Sequence, residues 1–239
     1  MSEVAGRTAR EGPIVTLDGP AGSGKSTTAR EVARRLGFRH LDSGALYRAL
    51  THALLRQGVP EASWSSLSVG DLRALGVSLH PSEGGFYVRL GGQTLVGELR
   101  SFDVTSRVAG LAKLPAARAC LLEVQRRAGA SGRLVADGRD MGTVVFPDSE
   151  VKVFLVADLS ERARRRLRET GSDAHSESLV ARQVELIAAR DEVDSGRDLS
   201  PLRPAEEAVM VDTTSLTFEE QVEKIVGLVR AVDAHRGPA

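Results

Sequence analysis

The stretch LDGPAGSGKSTTAR, residues 17–30, places three glycines, a proline and a lysine at the point where a helix is expected to begin. The apolar run before it, residues 13–18, is typical of a strand buried on both faces of a parallel sheet. After it, apolar residues recur at helical spacing from Ala29 to Leu36, and Gly37 stands where a C-terminal cap belongs. This order of strand, glycine-rich loop and helix predicts the opening of an α/β domain.

The loop itself, GPAGSGKS at residues 19–26, matches the pattern G-x-x-x-x-G-K-[ST]. Glycines let the backbone turn tightly and direct successive N–H groups at phosphate oxygens, and the helix N-terminus adds a positive partial charge. Lys25 supplies a charge for the outer phosphates, and the hydroxyl of Ser26 is a magnesium ligand. The alternative is a glycine-rich surface turn with a solvated lysine. The pattern favours a site for a nucleoside triphosphate, formed by Gly19, Pro20, Ala21, Gly22, Ser23, Gly24, Lys25, Ser26 and Thr27.

Composition narrows the class of protein. The 239 residues include 32 basic and 32 acidic side chains, with 41% apolar residues, which predicts one main globular domain. Because the net charge is zero, we expect neither nucleic acid nor a membrane surface as a partner. The single cysteine, Cys120, excludes an internal disulfide and fits a reducing compartment. No apolar run has the length of a signal-peptide core or a membrane span, so we expect a cytoplasmic protein.

The rest of the chain continues the α/β pattern with one interruption. Short strand-like runs between about residues 70 and 97, the last two joined by Gly91-Gly92, predict a small antiparallel insert. Arginine-rich helical stretches lie between about residues 160 and 197, and a capping box at Thr217 to Glu220 predicts the last helix. A second strand is expected at residues 38–42, and three further buried strands are expected at residues 133–137, 151–157 and 208–212.

Three more segments carry a family resemblance: LDSGALYR at residues 41–48, ADGRDMGTVVFPD at 136–148 and RDEVDSGRDLSPLRPA at 190–205. Together with the glycine loop they resemble bacterial cytidylate kinases, nucleoside monophosphate (NMP) kinases that phosphorylate CMP and dCMP. The resemblance runs from about residue 14 to about residue 229, in family order and spacing. It implies a monomeric enzyme that uses ATP with Mg²⁺ as the donor and CMP or dCMP as the acceptor.

The fold implied by the resemblance is a P-loop three-layer α/β sandwich, a single domain over residues 13–236 with a five-stranded parallel core sheet. The core would comprise residues 13–45, 130–158 and 205–236, and a helical lid would lie within about 160–197. The NMP-binding region would span about 46–129, with the antiparallel insert at about 70–97.

The resemblance also assigns roles to residues in the matching segments. Acceptor-phosphate contacts fall on Ser43, Arg48, Arg139 and Arg197, base contacts on Arg118 and Asp140, and sugar contacts on Arg190 and Asp194. Catalysis falls on Lys25, Arg139, Arg190 and Arg197. Cytosine offers an amino donor beside two acceptors, so a carboxylate and an arginine suit its edge, whereas uracil reverses the pattern at position 4.

One departure concerns the helix before Pro115, where the family often carries a small hydroxyl residue that contacts the base. Here the chain has Ala109 and Gly110, which predicts looser selection between pyrimidines.

Several roles remain open at this point. Asp137 either orients magnesium through water or accepts backbone N–H groups of the GRD turn. A mutual salt bridge between Arg139 and Asp140 is the weaker interpretation, and His40 is expected to have an ordinary packing role. Lid arginines either close over the triphosphate or form a solvated helix face paired with Glu161 and Glu169. These arginines are Arg162, Arg164, Arg165, Arg166 and Arg168.

Two other functions were weighed. A nucleotide-dependent switch would use the loop without acceptor chemistry, but the cations at positions 48, 118, 139, 190 and 197 imply a second phosphorylated ligand, and the chain has no N-K-x-D segment to read guanine. An RNA-binding protein would need net positive charge and interleaved aromatic residues, which this sequence lacks.

Overall fold

The computed structural model describes residues 10–234. Positions 1–9 of the N-terminal segment and the last two positions of the predicted domain, 235 and 236, lie outside the described residues. A single sheet of eight strands organises the molecule, in the order β3-β4-β2-β6-β1-β7-β8 with β5 paired to β4. The strands are β1 (Ile14–Asp18), β2 (Arg39–Asp42), β3 (Val77–Ser82), β4 (Gly85–Leu90), β5 (Gln93–Thr94), β6 (Leu134–Gly138), β7 (Val151–Val156) and β8 (Val209–Asp212).

The five strands β2, β6, β1, β7 and β8 pair in parallel, which confirms the expected core sheet. The expectation that the strand at 208–212 is buried is wrong: in β8 only Val211 is buried, because β8 is the outermost strand on that side of the sheet. Their connections are helical, as parallel crossovers require. The helices are α1 (Lys25–Leu36), α2 (Ser43–Arg56), α3 (Val69–Ala74), α4 (Phe102–Leu111), α5 (Pro115–Ala128), α6 (Leu159–Glu169), α7 (Glu177–Ser195) and α8 (Phe218–Ala234).

The central strand β1 shows why the domain has three layers. Val15 and Leu17 pack with apolar residues of α1 and α8 on one face of the sheet. Ile14, which points to the opposite face by the period of two, packs with Ala128 of α5 and with Phe146. Both faces are therefore covered, and β1 is buried along its whole length.

The antiparallel insert continues the core sheet as its outer edge. Strands β3 and β4 pair over six residues, and β4 joins β2 through one register pair, His40 with Gly85. A Cβ added at Gly85 would lie 2.5 Å from the carbonyl oxygen of His40, so glycine permits the close approach of the two strands.

Two further apolar clusters belong to the regions outside the core sheet. The cluster under the insert joins α2, α4 and α5 and includes Leu50, Leu111 and Leu121. The cluster of the predicted lid is small and joins α6 to α7 through Leu167, Val180 and Ile187. Within residues 10–234, no helix has the length and apolar character needed to cross a membrane.

Candidate active site

The predicted phosphate loop lies where β1 ends and α1 begins. Gly24 precedes the helix, and in the described part of the chain no side chain caps the amides of the first turn. These N–H groups are therefore free to bind an anion. Gly19 has a φ of 153°, and a Cβ there would lie 2.3 Å from the carbonyl oxygen of Leu155 in β7, so the loop starts against the sheet.

Lys25 is buried inside this loop. Its Nζ donates a hydrogen bond to the carbonyl oxygen of Pro20 at 2.9 Å. Burial, with the nearby charge of Arg139, lowers the pKa of Lys25 well below its ordinary value. An anion bound in the loop would reverse this shift, because an opposite charge favours the ammonium form.

Next to the loop, Ser26 and Asp137 form the pair expected at a magnesium site. Ser26 Oγ donates to Asp137 Oδ2 at 2.5 Å, and His40 Nε2 lies 2.8 Å from Asp137 Oδ1. Burial of Asp137 raises its pKa, but the bonds from His40 and Ser26 outweigh burial, and the pKa lies below its ordinary value. The carboxylate is therefore ionised and aimed at the loop. His40 thus does more than pack: its contact with Asp137 cannot be predicted from the sequence, because the two residues lie 97 positions apart.

The second role considered for Asp137, holding the turn after the GRD segment, belongs to a different residue. Asp18 accepts hydrogen bonds from the amides of Met141 and Gly142, each at 2.8 Å. Those amides open a π-helical turn, Met141–Val145, directly after Asp140. Burial raises the pKa of Asp18 to about 7, against the lowering effect of these two bonds. The sequence did not single out Asp18, although it directly precedes the loop motif.

The residues present fit a magnesium ion that binds together with a triphosphate. A serine hydroxyl and a carboxylate supply the oxygen atoms that Mg²⁺ prefers. Between residues 10 and 234, no three or more His, Cys, Asp and Glu side chains gather in a way that could hold a metal ion. At nucleotide sites magnesium usually keeps several water ligands and is bound through few protein groups together with the substrate phosphates.

The two predicted base contacts lie side by side and are paired with each other. Arg118 Nη2 donates to Asp140 Oδ2, and Arg118 Nε donates to Ser200 Oγ at 3.1 Å. The guanidinium also lies over the ring of Tyr47, at 5.7 Å from its centre. Asp140 is 3% exposed. As expected, Asp140 does not pair with Arg139, its neighbour in the chain.

Arg139 belongs instead to a cluster of arginines around Asp194. Arg139 Nε donates to Asp194 Oδ2 at 2.8 Å, Arg197 Nη2 donates to Oδ1, and Arg190 Nε lies 4.0 Å from Oδ2. Burial raises the pKa of Asp194, but Arg139 and Arg197 outweigh it and hold the pKa below its ordinary value. Burial and Arg139 lower the pKa of Arg190 to about 10. We call these three arginines and Asp194 the arginine cluster.

Arg48 and Ser43 occupy the start of α2. Arg48 Nη2 donates to Asp42 Oδ2 at 2.8 Å. Ser43 is buried, and a Cβ at Gly138 would lie 2.7 Å from its Oγ, which places that hydroxyl over the end of β6. The buried Nε atoms of Arg48, Arg190 and Arg197 have no hydrogen-bond partner among the residues described, so each can still donate to a ligand.

The sheet explains why these groups meet. Asp18 is in register with Gly138, and Asp42 is in register with Asp137, so β1, β6 and β2 end at one edge. The loop, the turn after β6 and the start of α2 all leave from this edge. Ligands of open α/β sheets bind beyond the carboxyl ends of the strands.

The candidate lid arginines divide into two groups. Arg162 is buried against the loop, with Nη1 donating to the carbonyl oxygen of Ala21 at 3.1 Å, and Arg165 donates to the carbonyl oxygen of Thr213 at 2.6 Å. Arg165 also pairs with Glu161, with 3.1 Å between Nε and Oε1. The other three pair with glutamates alone, as a solvated helix face would: Arg164 with Glu177, Arg166 with Glu169 and Arg168 with Glu161.

Comparisons with known proteins show the family of this chain. The family model described as cytidylate kinase matches residues 15–231. A cytidylate kinase of Salinibacter ruber (strain DSM 13855 / M31) is 43% identical over 92% of this chain and 98% of its own length. A cytidylate kinase of Geobacillus sp. (strain WCH70) is 41% identical over 90% of this chain and 95% of its own. The glycine loop, the turn after β6 and the arginine cluster all lie within the matched range, and the chain belongs to the cytidylate kinase family.

Proposed function

We propose that this protein transfers the γ-phosphoryl group of ATP to CMP or dCMP, giving ADP and CDP or dCDP. The observation that carries the proposal is the placement of two different anion sites at one sheet edge. The glycine loop with Lys25 is the donor site, and the arginine cluster is the acceptor site. A nucleotide switch needs only the first of these sites.

The chain's own groups act mainly by position and charge. The acceptor phosphate is already an anion at neutral pH, so it needs no general base. Lys25 binds the outer donor phosphates, while Arg139 and Arg197, together with Ser43 and Arg48, hold the acceptor phosphate. Arg190 contacts the sugar and, with Arg139 and Arg197, neutralises charge on the group in transfer. A magnesium ion held near Ser26, with Asp137 orienting its water, would offset charge on the donor phosphates.

Base recognition in this proposal rests on Arg118 and Asp140. Asp140 accepts from the N4 amino group of cytosine, and Arg118 donates to the acceptor side of the ring. In the substrate-free protein these two side chains satisfy each other. Cytosine must therefore replace or share that ion pair when it binds. Ala109 offers no hydroxyl as a third contact, which supports slower but measurable use of UMP.

Location, assembly state and partners stay predictions. A cytoplasmic monomer that binds neither nucleic acid nor membrane fits the zero net charge and the single buried cysteine.

The proposal is tested by coupling ADP release to an optical readout, with Mg·ATP as donor and CMP, dCMP, UMP and AMP as separate acceptors. CMP and dCMP should give the highest kcat/KM, UMP a lower value and AMP no turnover above background. ATP binding without any monophosphate-dependent ADP release would contradict the proposal and favour a switch.

A further inference from the structure

The strongest unassigned feature is a set of hydrogen bonds to both backbone polar groups of one residue of the phosphate loop, Ala21. Ala21 N donates to Asp191 Oδ1 at 3.1 Å, and the carbonyl oxygen of Ala21 accepts from Arg162 Nη1 at 3.1 Å. Arg162 Nη1 also donates to Asp191 Oδ2, and its Nε donates to the carbonyl oxygen of Ala157 at 3.1 Å. We call Arg162 and Asp191 together the Ala21 clamp.

Ala21 is attached to the predicted lid by its backbone, through the clamp, and also by its side chain. The side chain of Ala21 belongs to the small apolar cluster of α6 and α7, with Ala163 and Ile187. A Cβ at Gly22 would lie 3.0 Å from the carbonyl oxygen of Arg162, so α6 lies directly against the loop. Arg162 is 8% exposed, which means that its charge is largely desolvated and depends on Asp191.

The clamp also reaches the acceptor site through a single helix. Asp191 lies on α7 next to Arg190 and one turn before Asp194, two members of the arginine cluster. A displacement of the loop that moves Ala21 must therefore move Asp191 and Arg162 with it or break the hydrogen bonds that join them to Ala21. Because Arg190, Asp191 and Asp194 lie on one continuous helix, a movement of Asp191 alters the position of Arg190 and Asp194 as well.

We infer that Arg162 and Asp191 are positioning residues that couple nucleotide binding in the donor loop to the arrangement of the acceptor site on α7. Neither residue touches substrate in this role. This inference rests on the proposed function, since it needs both nucleotides to bind. Its consequence is positive coupling: a bound ATP analogue tightens the binding of CMP, and the reverse holds by the same factor.

The test measures this coupling by calorimetry on the full chain. The Kd of CMP is determined with and without saturating magnesium and a non-hydrolysable ATP analogue, and the ratio is the coupling factor. We expect a factor of about 5 or more in the unaltered protein. Asp191→Asn keeps an oxygen for Ala21 N–H but weakens the ion pair with Arg162, so the factor should fall to within twofold of 1.

Glu192→Gln is the matched control, because it makes the same chemical change on the exposed side of the same helix. It should keep the coupling factor of the unaltered protein. If Asp191→Asn weakened both single-ligand affinities and left the coupling factor unchanged, the clamp would be merely structural and the inference would be wrong. If CMP bound to the unaltered protein with a factor near 1, the inference alone would fail. If CMP did not bind at all, the proposed function would fail with it.

A second measurement needs no variant and guards against poor folding of Asp191→Asn. Hydrogen exchange of the α7 amides is followed when the ATP analogue alone is added. The clamp predicts slower exchange over residues 185–195, which the donor phosphates do not have to touch. Unchanged exchange there, with slower exchange in the loop, would overturn the inference.

Discussion

At the scale of single residues, the environment of Lys25 leads to a prediction about catalysis. Its Nζ donates one hydrogen bond, to the carbonyl oxygen of Pro20 at 2.9 Å. Replacing the side chain therefore removes only this bond, and the protein should still fold. Lys25→Ala should lower kcat by about a hundred- to a thousandfold, because it removes a preorganised charge on the transferred group. The measurement is steady-state kinetics with CMP, with circular dichroism to check folding. Retained activity would contradict the donor-site assignment.

Asp140 allows a test of base recognition. Asp140→Asn replaces an acceptor by an amide whose N–H₂ can face the N4 amino group, so kcat/KM for CMP should fall by about 10- to 100-fold. The KM for ATP should change little. UMP is the internal control, because its carbonyl at position 4 gains nothing from a carboxylate. An equal loss for CMP and UMP would show that Asp140 does not read this position.

Asp18 gives a prediction about stability and pH. Its pKa is about 7 in the folded protein against an ordinary value of 3.8, so the folded state holds the proton more tightly than the unfolded chain. The resulting stabilisation is fully present below the unfolded pKa and is lost as the pH rises through about 7. Asp18→Asn carries no titrating group at this position and therefore serves as the reference.

The free energy of unfolding, measured with urea, should accordingly fall in the unaltered protein relative to Asp18→Asn between pH 5 and 8. The expected change is on the order of 3 kcal/mol, since one pKa unit corresponds to about 1.4 kcal/mol. A difference that stays constant with pH would show that the Asp18 pKa lies elsewhere.

The site residues that could be predicted from the sequence differ from the others in the distance along the chain to the groups that define their role. Lys25 and Ser26 were predicted because a local motif requires them at fixed spacing. The roles of Asp18 and His40 were not, because their partners lie 123 and 97 positions away in the chain. The sequence names Arg162 as a candidate lid residue, but only the folded structure shows that it donates to the carbonyl oxygen of Ala21.

Among the elements, the parallel core could be predicted because most of its strands are short apolar runs between turn residues; β2, with the sequence RHLD, is the exception and is predicted from its place after Gly37. The attachment of the insert could not. Strand β4 joins β2 through a single register pair separated by 45 positions, and no periodicity encodes such a contact. The π-helical turn after Asp140 could not be predicted either. Its first amide, that of Met141, donates a hydrogen bond to Asp18, which is far away in the chain.

The β2–β4 junction leads to a prediction about Gly85. Gly85→Ala puts a methyl group 2.5 Å from the carbonyl oxygen of His40, so β4 must move away from β2. We expect the free energy of unfolding to fall by about 1–3 kcal/mol, as it does at other overpacked sites. The destabilisation should be concentrated in the insert. Hydrogen exchange of β3 and β4 should speed up while that of β1 does not.

Gly97→Ala is the control for that experiment. Gly97 has a φ of −69° and, among the described residues, nothing lies within 4 Å of a Cβ placed there. Its exchange pattern should match that of the unaltered protein. Faster exchange across the whole sheet in Gly85→Ala would mean that the insert does not unfold separately from the core.

Across the described residues, the four apolar clusters differ greatly in extent. The core sheet buries β1, β6 and β7, together with Val211 of β8, against α1 and α8, and the insert has its own large cluster. The lid cluster has six buried members, and α7 buries only Val180, Ile187 and Asp194 along 19 residues. Segments with few buried apolar contacts open at low free energy, so the lid should open locally while the core stays folded.

A pair of identical truncations in two clusters tests this division. Ile187→Ala removes the same atoms from the lid cluster that Ile225→Ala removes from the core cluster, and both side chains are buried. Each truncation should lower the free energy of unfolding of the cluster that contains the side chain by about 2–5 kcal/mol. In Ile225→Ala the loss should appear in global unfolding by urea. In Ile187→Ala the urea midpoint should change less, while hydrogen exchange in α7 accelerates. The KM for both nucleotides should rise, because the open lid no longer holds Arg190 and Asp194 in place. Equal shifts of the urea midpoint would show that lid and core unfold as one unit, and the acceptor site would then not depend on a separate opening of the lid.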